Sequence, residues 1–119
     1  MHGVYLVAAE LTKLGYITTL TSRNLFGADI LLTDSGCKKA WSIQVKTNTS
    51  TFSFWLLNKK SRKLKSKTHI YVFVNLKEPV EYFIVPSKVV ADKMGTQKKW
   101  YYFEYKYAKK YQEKWTVFK

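Results

Sequence analysis

Three residues in the stretch GADILLTDSGCKKAWSIQVKT, Gly27 to Thr47, have side chains suited to hydrolytic chemistry: Asp29 near its start, and Gln44 and Lys46 near its end. A carboxylate and an amide oxygen are hard donors of the kind that Mg²⁺ or Mn²⁺ accepts. A lysine beside them neutralises charge on a phosphate and holds or helps deprotonate an attacking water. The remaining question is what would bring residues fifteen or more positions apart to one place.

A hairpin does so. Ile30 to Thr33 and Ala40 to Thr47 read as strands, and Asp34-Ser35-Gly36 reads as the turn between them, with Asp34 in a turn role. A turn centred near Gly36 makes paired residue numbers sum to about 72, within a residue or two. Asp29 then lies opposite Ile43 or Gln44. Gln44 and Lys46 share one face of their strand, while Ile43 and Val45 take the other and pack. The Val45 carbonyl adds a further oxygen donor to the expected metal set of Asp29, Gln44 and Val45.

The surrounding elements are legible from periodicity. Val4, Val7, Leu11 and Leu14 recur at helical steps, and Gly15 follows as a stop. Tyr16 to Ser22 is a β-branched strand. His69 to Leu76, HIYVFVNL, reads as a central strand, and Val80 to Ser87 as the next one. Ser87 is the expected N-cap of a short helix that Gly95 stops. The segment TFSFWLLNKKSRKLKSK reads as a short helix or loop crossing the sheet. In the tail, Phe103, Tyr107, Tyr111 and Trp115 recur every four residues, so a helix with an aromatic stripe packed on the sheet is expected. The element order is α-β-β-β-(α)-β-β-α-α, an α+β fold of three-layer type with a mixed sheet and flanking helices, in a single domain spanning residues 1–119.

A helix, a strand, Gly-Ala-Asp at a strand start and Gln-Val-Lys on the next strand together resemble the PD-(D/E)xK nuclease superfamily. The similarity is to its small bacterial Q-x-K members and to restriction-endonuclease-like and Holliday-junction-resolvase-like domains. It runs from the AAELTKLGY helix through FIVPS. The resemblance implies a metal-dependent endonuclease with Asp29 as metal-binding aspartate, Gln44 in the position usually held by Asp or Glu, and Lys46 as the lysine. It also implies a homodimer able to cut two strands. Ala28 stands where the family name has proline, and Val4 lies near where many relatives carry a helix glutamate. Glu10 is the only acid of the first helix; it either leans towards the site or pairs in solvent with Lys13.

Charge points to the partner. Twenty-one Lys and Arg against eight Asp and Glu give a formal +13, the electrostatic footprint of a protein that meets an anionic polymer, DNA first. Lys59, Lys60, Arg62, Lys63, Lys65 and Lys67 cluster as backbone-phosphate contacts, with Arg23 just before the hairpin as another. Lysine dominance favours contacts without strong sequence preference. His2 and His69 are too isolated for a zinc site, and His69 reads as a structural or surface residue. No apolar run reaches the ~20 residues of a membrane span, no secretory signal is visible, and the lone Cys37 fits a cytoplasmic setting. Two other readings stay open: an inactive nucleic-acid-binding module on the same fold, and a protein-interaction domain.

Overall fold

The strand His69–Asn75 (β5) is buried at every position, as its unbroken apolar sequence requires when both faces of a sheet are covered. It organises everything else. In the computed structural model, which describes residues 2–21, 28–49 and 53–118, β5 lies in a five-stranded mixed sheet. The sheet order is β1 (Ile17–Leu20), β2 (Ile30–Thr33), β3 (Ala40–Asn48), β5, β6 (Glu81–Pro86). All neighbours are antiparallel except β3 and β5, which run parallel with Ser42 opposite His69, Gln44 opposite Tyr71 and Lys46 opposite Phe73.

Helix α1 (His2–Lys13) covers one face. Its Val4, Val7 and Leu11 pack with Ile43, Val45, Val72, Val74 and Ile84. Leu14, expected on the same stripe, is 53% exposed, because the helix has ended and the chain turns away at Gly15, whose φ is +94°. Gly3 sits so close to Thr47 of β3 that an added Cβ would collide with the threonine hydroxyl. The glycine lets the start of α1 rest directly on the end of β3.

The other face is covered by a second sheet, with Val90 and Ala108 of two later short helices in the same buried cluster. Strand β4 (Phe54–Leu57) pairs with β8 (Trp100–Glu104), which pairs with β7 (Gly95–Gln97). Trp55 and Phe103 point inward onto Tyr71, Phe73 and Phe83, and the Trp55 indole N–H donates to the Val74 carbonyl at 3.1 Å. This corrects two sequence expectations. The crossing segment after β3 is a strand followed by a 3-10 turn, Lys59–Arg62. Phe103 belongs to a strand, so no long aromatic helix forms; α3 (Tyr105–Ala108) is one turn, followed by 3-10 turns around Tyr111 and Trp115. Pairing with β4 satisfies the backbone and buries Phe103, which outweighs a helical spacing met by only four residues.

A smaller correction concerns Ser87, the first residue of α2 (Ser87–Lys93). It makes no cap hydrogen bond. Its Oγ accepts from Ser66 N–H at 2.9 Å and donates to Ser66 C=O at 2.7 Å, tying the basic segment to the helix. Among the described residues, no helix is long and apolar enough to cross a membrane.

Gly3→Ala is expected to destabilise the protein by about 1–3 kcal/mol through overpacking. Thr47→Ala in the same chain should restore most of the loss, as coupled neighbours do. Chemical denaturation of the four-member cycle checks this.

Candidate active site at the start of the second strand

Asp29 precedes β2 and is fixed on three sides. Its N–H donates to the Ile43 carbonyl at 2.7 Å, and its carbonyl accepts from Thr21 N–H at 3.0 Å. Its Oδ2 accepts the Val45 N–H at 2.7 Å. The carboxylate therefore stands in for the β2 backbone where the β2–β3 ladder begins. The paired register, Ile30 opposite Ile43, continues to Asp29 opposite Gln44, within the range that the turn predicted. Asp34 fulfils its turn role: its Oδ1 accepts from Lys38 N–H at 2.8 Å and Lys39 N–H at 3.0 Å.

The strand's hydrogen-bond alternation fixes where the Val45 carbonyl points. Ser42 N–H donates to Thr68, and the Asn48 carbonyl accepts from Leu76, so even-numbered residues of β3 bond towards β5. Ile43 bonds towards Asp29, so odd-numbered residues face β2. The Val45 carbonyl thus faces the side of the sheet where Asp29 is held. Among the described residues, Oδ1 of Asp29 takes no hydrogen bond. An anchored carboxylate and a carbonyl facing the same gap are hard oxygen donors, a set that fits Mg²⁺ or Mn²⁺ supplemented by water and phosphate oxygens. No group of three or more His, Cys, Asp or Glu suited to a metal occurs among the described residues. The donor set is thus poor in charge.

Gln44 and Lys46 emerge on the face opposite α1, where Ile43 and Val45 are buried. Lys46 is half-buried, and burial pushes its ammonium pKa down while the Asp29 carboxylate pulls it up. Gln44 opens onto a groove of about 360 Å³ lined also by Asn58, Lys60, Ser61, Lys63 and Tyr71. Two members of the basic run, Lys60 and Lys63, therefore line the same groove as Gln44.

The rest of the run is dispersed. Arg62 donates to the Thr96 hydroxyl, Lys65 pairs with Asp92 at 2.9 Å, and Lys65 and Lys67 line a different groove with Lys88. Lys59 is exposed in the 3-10 turn. Arg23 lies outside the described residues. Glu10 forms an ion pair with Lys13 at 2.9 Å. It sits two helical turns, roughly 10 Å, beyond Gly3, and no described interaction links it to Asp29, Gln44 or Lys46.

Of the two readings of His69, structural or surface, the buried structural one holds. The residue is only 4% exposed, on the face shared by Gln44 and Lys46. Its Nδ1 shares a 2.7 Å hydrogen bond with Ser42 Oγ, and its Nε2 is buried without a hydrogen-bond partner among the described residues. Burial lowers its pKa, with Asp29 opposing. A signal was available: a histidine in a strand apolar at every following position up to Asn75 must be buried with it.

No protein-family model and no curated protein sequence matches the chain. Among solved structures, the fold is similar to that of Hjc, a Holliday junction resolvase from the archaeal hyperthermophile Archaeoglobus fulgidus. The TM-score is 0.61 at 12% identity, over 88% of this chain and 90% of that one. The fold is thus restriction-endonuclease-like, as the resemblance implied.

The depressed His69 pKa gives a pH prediction. Its stabilising neutral form is fully present above the unfolded value, about 6.5, and stability falls as pH drops from there through the folded value. Thermal melts at pH 5 and pH 7.5 should differ more for the wild type than for His69→Gln, which cannot titrate.

Proposed function

We propose that the protein is a metal-dependent endonuclease that hydrolyses DNA phosphodiester bonds with little sequence preference. The observation that carries this reading is the Val45 N–H to Asp29 Oδ2 bond, which holds a carboxylate beside Gln44 and Lys46 across one hairpin. Packing alone gives no reason for an acid, an amide and an amine to converge there.

Asp29 and the Val45 carbonyl would hold the divalent cation, with Gln44 as a neutral third ligand. When bound, the cation supplies charge neutralisation for the phosphate. Lys46 orients the attacking water against phosphorus and neutralises a non-bridging oxygen. The water oxygen forms the new P–O bond as the bond to the leaving sugar oxygen breaks. The water proton passes to solvent, and the leaving oxygen takes one from solvent. Lys60 and Lys63 hold a flanking phosphate in the groove beyond Gln44 without reading bases. Because the archaeal protein of similar fold is a Holliday junction resolvase, a four-way DNA junction is the first substrate to test. A homodimer would present two sites to two strands.

That Asp29 has no second acid in a metal-binding group among the described residues supports a second reading, a nucleic-acid-binding module that does not cut. It predicts salt-sensitive binding with no turnover at any Mg²⁺ or Mn²⁺ concentration.

The experiment measures cleavage of a labelled junction across a Mg²⁺ series. Asp29→Asn retains an acceptor for Val45 N–H and should still fold; combined with Lys46→Met it should remove all cleavage. Asp29→Ala is less suitable, because losing the charged acceptor should cost about 1.5–3 kcal/mol of stability. Gln44→Glu adds a negative charge and should shift the Mg²⁺ requirement to lower concentration. Wild-type cleavage that survives in the Asp29→Asn, Lys46→Met chain would contradict the proposal.

A further inference from the structure

The outer face of the second sheet is apolar and aromatic, and no described residue covers it. Strand alternation turns Phe54 and Leu56 of β4 and Trp100, Tyr102 and Glu104 of β8 outward, away from Trp55 and Phe103. With Gln97 of β7 they line an open groove of about 500 Å³. Phe54 is 41%, Leu56 49% and Trp100 61% exposed. Neighbouring outward aromatics of this kind are not needed by the core, which lies on the other side of the sheet.

Their arrangement is specific. An added Cβ at Gly95 would collide with the Tyr102 ring, so the ring lies against the β7 backbone over the glycine. Phe54 meets Tyr102 edge-on, with centroids 5.8 Å apart and planes at 63°. Tyr102 is thus fixed by its own sheet. The turn between β7 and β8 carries Lys98 and Lys99, both exposed, next to Trp100. Arg62 reaches the same edge through the Thr96 hydroxyl. The acid in the groove, Glu104, is offset by Lys106 at 3.8 Å.

We propose that this face stacks unpaired nucleic-acid bases on Trp100 and Tyr102, with Lys98 and Lys99 on the adjoining phosphates. Every base has a π face, and fixed aromatic rings beside cations are what a single strand requires. Charge selects this occupant over a second copy of the chain. Lys98 and Lys99 beside Trp100, in a chain of formal +13, attract a polyanion and disfavour joining two copies through this face at low salt. The surface is separate from the Asp29 site and does not depend on hydrolysis there.

The test is fluorescence anisotropy of a labelled oligo-dT of about 12 nucleotides. Trp100→Ala with Tyr102→Ala should weaken binding about tenfold or more, while Trp100→Phe keeps most of it. Trp100→Ala alone, at a position too exposed to support the core, is the second variant if the pair unfolds. Run in excess EDTA, the titration excludes cation-dependent binding and hydrolysis at the Asp29 site, which separates this proposal from the hydrolytic one. Oligo-dT affinity unchanged in folded Trp100→Ala would overturn it. So would a wild-type dimer that this substitution dissociates without weakening oligo-dT binding.

Discussion

The bond from Val45 N–H to Asp29 Oδ2 is the interaction on which the candidate site depends. At 2.7 Å it joins a backbone donor to a charged acceptor, the stronger class of hydrogen bond. It occurs at the first described residue bonded to β3, where the backbone takes Ile43 and the side chain takes the Val45 N–H that no β2 carbonyl reaches. One consequence is geometric: the carboxylate is fixed relative to the strand that carries Gln44 and Lys46. Another is electrostatic, since Lys46 and His69 both feel the Asp29 charge.

The one parallel pair of the sheet sets the surroundings of that bond. Its register places the even-numbered side chains of β3 beside His69, Tyr71 and Phe73, while strand alternation turns the odd-numbered ones towards α1. The second sheet then covers the aromatic part of this face through Trp55 and Phe103. Its cover leaves the Gln44 end as a groove with Lys60 and Lys63. Gly3 against Thr47 brings the start of α1 to the far end of the same strand. Glu10 is paired with Lys13, and no described interaction links it to Asp29, Gln44 or Lys46.

The hairpin was legible in the sequence because its information is local: alternation, an Asp-Ser-Gly turn and a short span. The turn placed Asp29 opposite Ile43 or Gln44, and the ladder settles on Gln44. What was not legible depends on pairing between distant segments. Phe54–Leu57 is four apolar residues, compatible with helix or strand until β8 is known to lie beside it. Phe103 to Trp115 has a four-residue period by sequence, but β8 takes Phe103 into a sheet. His69 becomes a site neighbour only through Ser42, twenty-seven residues earlier. The basic run looked like one patch in sequence, whereas the 3-10 turn and the following loop divide it between two grooves.

The central claim is that Asp29 and the Val45 carbonyl form a hard-oxygen cation site. Paramagnetic broadening of backbone amide resonances during a Mn²⁺ titration tests it most directly, without relying on turnover. The account predicts that the amides of Asp29, Gln44, Val45 and Lys46 broaden first, and that Asp29→Asn removes the effect. Broadening that begins elsewhere, or that is unchanged in Asp29→Asn, would contradict it.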